Sequence, residues 1–132
     1  MHHRVLIVDD YPDAAELACL LLSLLGSECR TASCGREALA AAVAFEPDVA
    51  LLDLELPDLT GYEVARQLRI LAAGRPLYIA AVTGRGAAAD RQRTLAAGFD
   101  DHVLKPADVT VLQAILQRAE QVSAGERRGD RT

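Results

Sequence analysis

Residues 48–69 read DVALLDLELPDLTGYEVARQLR. The run Val49–Leu52 is wholly apolar and stops on a carboxylate, Asp53, after which the chain passes through a Pro- and Gly-containing connection into helical spacing. A short, nearly continuous apolar run suits a strand covered on both faces. Four further runs stand on either side of it: Val5–Val8, Cys29–Ala32, Leu77–Val82 and His102–Leu104. Longer stretches with helical spacing separate them. Strands that alternate with helices in this way indicate βαβ units and a parallel sheet. The runs at Val5, Val49 and Leu77 are the most apolar and are expected at its centre.

Helix punctuation agrees. Asp13 is the expected cap of the first helix, and Gly26, Gly74 and Gly98 stand where left-handed C-terminal residues are expected, with Pro76 just beyond the second. In the last helix Leu112, Ile115, Leu116, Ala119 and Val122 recur at three- and four-residue steps and mark one buried stripe. Residues 1–122 are expected to form one domain, and 123–132 a flexible tail or the start of a linker, because the apolar stripe ends there. Leu20, Leu21, Leu22, Leu24 and Leu25 cover more of the first helix than one stripe needs, so some of them should be exposed.

Composition bounds the partners. The chain has 132 residues, a net charge of −5, 51% hydrophobic residues and only 4% aromatics, so the core must be built from Ala, Leu, Val and Ile. An acidic chain with no basic stripe does not supply the counterion-release term of nucleic-acid binding. The longest apolar stretch, Leu17–Leu25, contains Ser23 and is too short to span a bilayer, so neither direct nucleic-acid nor membrane binding is expected. Cys19, Cys29 and Cys34 are an odd set without C-x-x-C spacing, which favours free thiols and a cytoplasmic location.

In an open parallel sheet, ligands bind beyond the carboxyl ends of the strands. There the sequence places Asp9 and Asp10 after the first strand, Asp53 after the third, Thr83 at the end of the fourth and Lys105-Pro106 after the fifth. Converging carboxylates repel unless a cation joins them. An all-oxygen set suits Mg²⁺, with Mn²⁺ as the alternative. Lys105 and Thr83 can then hold phosphoryl oxygens while Asp53 acts as nucleophile, which together meet the needs of phosphoryl transfer.

The segments VLIVDDYP, DVALLDLELPDLTGYEVARQLR, IAAVTG and GFDDHVLKP, in this order, resemble the receiver domains of two-component response regulators over about residues 4–122. GFDDHVLKP is more similar to receivers joined to hybrid histidine kinases or other multidomain signalling proteins than to those of transcription factors. The resemblance implies a flavodoxin-like, doubly wound (βα)₅ three-layer sandwich with a five-stranded parallel sheet in the order 2-1-3-4-5. It implies that Asp53 is the phosphoacceptor and that Asp9, Asp10, Asp53 and the backbone carbonyl of Glu55 hold the metal. Thr83 is then the switching hydroxyl, Lys105 the phosphoryl-binding cation, and Pro106 follows a cis peptide bond. The implied partner is a histidine kinase or histidine phosphotransfer protein, the downstream effector or fused domain is unknown, and the chain is a monomer or weak dimer. The implied function is phosphorelay, with the domain catalysing its own modification and no external product. Two positions depart from the usual pattern. His102 stands where many receivers carry a switching Tyr or Phe, and Glu55 puts an acid near the acceptor, where together with Arg85 it would alter the phosphoryl lifetime. Two rivals remain: a receiver used only for protein interaction, and an Asp-nucleophile phosphatase resembling the haloacid dehalogenases, which place Asp where this chain has Glu55.

Overall fold

The computed structural model describes residues 2–84 and 88–129. Five strands alternate with five helices: β1 (Arg4–Val8), α1 (Pro12–Leu24), β2 (Glu28–Ala32), α2 (Gly35–Phe45), β3 (Val49–Leu52), α3 (Gly61–Ala72), β4 (Tyr78–Thr83), α4 (Ala88–Ala96), β5 (Asp101–Leu104) and α5 (Val109–Gly129). All strand pairs are parallel and the sheet order is β2-β1-β3-β4-β5, the doubly wound arrangement expected from the sequence.

The period of two along each strand divides the core into two layers. Leu6, Val8, Ala50, Leu52, Ile79 and Ala81 face Ala38 and Ala42 of α2 and Val64, Ala65 and Leu68 of α3. Val5, Ile7, Val49, Leu51, Tyr78 and Ala80 face Ala15 and Leu22 of α1 and Leu112, Ile115 and Ala119 of α5. The central strands β1, β3 and β4 are thus covered on both sides, which is why their sequences are almost uninterrupted in apolar residues. Rings are few; Tyr62 of α3 meets Phe99 edge-on with centroids 6.2 Å apart.

Helix ends follow the glycine expectation more closely than the cap expectation. Gly26, Gly74 and Gly98 have φ of 92°, 89° and 98°, in the left-handed region. The cap of α1, however, is Tyr11, with Pro12 in the first turn, and Asp13 lies inside the helix without capping it. The turn is closed from outside, by the Asp9 carboxylate accepting the Tyr11 N–H at 2.9 Å. Leu22 of α1 is buried whereas Leu17, Leu20 and Leu24 are exposed. At its far end α5 runs on to Gly129, past the boundary drawn at residue 122. Among the described residues no helix is long and apolar enough to cross a membrane.

Candidate functional site

Strand register decides which side chains meet. Val8 pairs with Leu52 across β1 and β3, so the next residues, Asp9 and Asp53, leave the sheet side by side. The Asp53 N–H still donates to Val8 O at 2.9 Å, and the Lys105 N–H donates to Thr83 O at 2.8 Å, so the ladder extends to the rim where all four residues stand. Lys105, one residue beyond β5, reaches back across the edge. Its ammonium lies 3.0 Å from Asp9 Oδ2 and 3.1 Å from Asp53 Oδ2. Burial opposes the lysine's charge, but hydrogen bonds and Coulomb attraction from Asp9 and Asp53 outweigh it and hold its pKa above the ordinary value.

The other carboxylate oxygens are also engaged. Asp9 Oδ1 accepts from Tyr11 N at 2.9 Å and Asp53 Oδ1 from Glu55 N at 3.1 Å, which fixes both carboxylates. Asp9, Asp10 and Asp53 each offer an oxygen within 4.8 Å of the others. Such a donor set, all oxygen and graded from the nearly buried Asp9 to the exposed Asp10, fits a hard divalent cation that keeps part of its water. Thr83 is buried at the end of β4. The Glu55 side chain is exposed, and its backbone pairs with Thr60 in an isolated bridge. The Lys105–Pro106 peptide bond is cis. Arg85 lies outside the described residues.

His102 is not part of this cluster. Opposite Ala81 in the sheet and buried, it places Nδ1 3.2 Å from Thr94 Oγ1 of α4. The Thr94 hydroxyl also lies 2.7 Å from Arg91 O, so it joins the imidazole to the backbone of α4.

Two residues behind the site were not singled out from the sequence. A Cβ on Gly61 would press on the carbonyl oxygen of Asp53 and lie 2.8 Å from Leu54 Cα, so the start of α3 can pass behind the acceptor only as glycine. Asp58, in the connection from β3 to α3, accepts from Gly35 N at 2.7 Å and Arg36 N at 2.9 Å, and thereby caps α2, which has no side-chain cap of its own. It also accepts from Leu59 N at 2.8 Å. The backbone donors of Arg36, Gly35 and Leu59 hold its carboxyl down to about 2, although desolvation opposes them. Gly61 had a readable signal, a glycine opening a helix just after an acceptor strand. The Asp58 cap had none, because the α2 donors it accepts from, Gly35 and Arg36, are over twenty residues away.

Comparison with known proteins agrees with this architecture. Residues 5–117 match the family described as "Response regulator receiver domain". The probable transcriptional regulatory protein TcrX of Mycobacterium tuberculosis is 40% identical over 118 residues, covering 86% of this chain and 50% of that protein. The sensor histidine kinase RcsC of Salmonella typhimurium is 34% identical over 112 residues, covering 85% of this chain and 12% of that protein. Relatives thus include both transcriptional regulators and a sensor kinase, and the chain spans about half the length of TcrX. Among solved structures, the chemotaxis protein CheY4 of Vibrio cholerae superposes with a TM-score of 0.84 at 30% identity, covering 90% of this chain and 99% of that one. With the family matched over nearly its whole length and the strand-end carboxylates and lysine assembled on the matching fold, the chain belongs to the receiver domains of two-component response regulators.

Proposed function

We propose that Asp53 accepts a phosphoryl group from a phosphohistidine on a histidine kinase or histidine phosphotransfer protein, in a Mg²⁺-dependent reaction in the cytoplasm. The observation that carries this reading is the placement of Lys105 against both Asp9 and Asp53, with Asp10 completing the oxygen set. Asp9, Asp10, Asp53 and the Glu55 carbonyl would hold the cation, which when bound supplies positive charge against the phosphoryl oxygens. An Asp53 carboxylate oxygen attacks phosphorus; the P–N bond to the donor histidine breaks as the O–P bond forms, and the histidine leaves with the electron pair. Lys105 then exchanges its contact with Asp53 for a phosphoryl oxygen, remaining a point charge throughout. The Thr83 hydroxyl donates to a second phosphoryl oxygen, and its displacement is the start of the conformational change. Water later attacks phosphorus of the acyl phosphate, the P–O bond to Asp53 breaks, and the carboxylate is regenerated as inorganic phosphate leaves, so the domain turns over its own modification.

The test is intact mass after incubation with a small acyl-phosphate donor and Mg²⁺. One phosphoryl group should add to the wild type and none to Asp53→Asn. Equal labelling of both would overturn the assignment, and multiple turnover on free phosphate esters would favour a phosphatase instead.

A further inference from the structure

We propose that the chain carries a second binding site, an apolar cavity of about 190 Å³ between α1 and the β5–α5 connection, and that its ligand is a small, neutral aromatic molecule of about indole size.

The cavity exists because three small residues face one another. Ala14 and Ala18 lie one helical turn apart on α1, and Ala107 opposes them just after the cis Lys105–Pro106 bond. Leu51 and Leu112 wall its inner side, from β3 and α5. Protein interiors are otherwise packed like organic crystals, and a void strips its lining of dispersion partners. A cavity of roughly 150 Å³ lined by aliphatic side chains stays dry and takes benzene, so one of this size accommodates a two-ring guest. Leu17, which is exposed, also lines it from α1.

The polar end of the cavity selects against charge. Asp9, Asp53 and Lys105 contribute to that wall, where two carboxylates meet one ammonium at 3.0 and 3.1 Å and leave an excess of negative charge. An anionic guest is repelled by that excess, and any charged guest would have to give up its hydration to enter a mostly apolar cavity, whereas a neutral one does not. A flexible aliphatic chain would lose rotamer freedom on entry that a rigid ring does not have to lose. Because the guest shares a wall with Asp53, Lys105 and Pro106, its binding is felt at the phosphoacceptor. The site therefore offers an input separate from a protein donor, and it does not depend on phosphoryl transfer.

The experiment is an NMR titration of the full chain with indole, with and without Mg²⁺ and with no phosphoryl donor present. Its failure and the failure of the phosphorylation reading are thus distinguishable. Saturable shifts are expected at Ala14, Ala18, Ala107 and Leu112, with a dissociation constant on the order of 1 mM or below. Ala18→Leu and Ala107→Leu, which fill the space, should each weaken binding at least tenfold. Should a filled variant not fold, ligand size decides on the wild type: pyrene should fail to compete with indole, and indole-3-acetate should bind at least fivefold more weakly than indole. Absence of saturation, indifference to the filling substitutions, competition by pyrene, or equal affinity for the carboxylate would each overturn the proposal.

Discussion

Gly61 and Asp58 show how single residues behind the acceptor hold it in place. Gly61→Ala forces a methyl group against the backbone of Asp53 and Leu54, which can yield only by moving the acceptor strand or the start of α3. Overpacking of this kind costs typically about 1–3 kcal/mol. We expect Gly61→Ala to lower the urea midpoint accordingly and to weaken Mg²⁺ binding, read by calorimetry. Asp58 gives a pH prediction. Its carboxyl is held down to about 2 in the folded state, against roughly 3.9 in an unfolded chain. The folded state therefore binds the proton less readily, and the stability Asp58 contributes is fully present above about pH 4. It is lost as pH falls through about 2. Asp58→Asn should flatten that acid limb of the stability profile between pH 4 and 2, measured by denaturant melts against wild type. A profile unchanged in slope would mean that the α2 cap contributes nothing in solution.

Elements are joined here by side chains whose partners are distant in sequence. Thr60 caps α3 locally, accepting from Glu63 N at 3.2 Å, and Thr60→Ala should cost about 1 kcal/mol of stability. The buried Thr94–His102 contact joins α4 to β5. Thr94→Val keeps the shape but leaves Nδ1 of His102 without that hydrogen-bond partner, a loss of about 1–3 kcal/mol. Combining it with His102→Phe, which removes the buried ring nitrogen, should recover part of the loss; additive costs in that double-variant cycle would show the contact to be energetically silent. The same contrast between near and far partners explains what the sequence made legible. The strands β1, β3 and β4 stood out because burial on both faces leaves an uninterrupted apolar run. The left-handed glycines stood out because so few other residues adopt that conformation. Asp13 looked like a cap only because a local reading cannot see Asp9 folding back onto Tyr11. Likewise His102 was readable as a departure from the usual pattern, but its bond to Thr94 depends on how α4 lies against the sheet.

At the scale of the whole molecule, the five residues expected at the site come from four strand ends and meet only through the sheet order. The three carboxylates share one ammonium among the described residues of the cluster, so a divalent cation should stabilise the fold by relieving their repulsion. At ten times Kd the linkage contribution is about 1.4 kcal/mol, a Tm increase of roughly 5 °C for a domain of this size. Asp10→Asn should shrink the response, and a melting curve indifferent to tens of millimolar Mg²⁺ would remove the support for the metal. The order in which the parts enter the fold has a further consequence during biosynthesis. A ribosome delivers Asp9 and Asp10 before Asp53 and Asp53 before Lys105, while β4 waits for β5 to cover its outer edge. Until then a nascent chain has its acids without their lysine and an unpaired strand edge open to neighbouring chains. The ammonium that docks last of the cluster thus serves as a seal of completion for this domain: a product truncated before β5 lacks both the counter-charge and the edge strand, and is set apart from the complete domain by solubility as well as by chemistry.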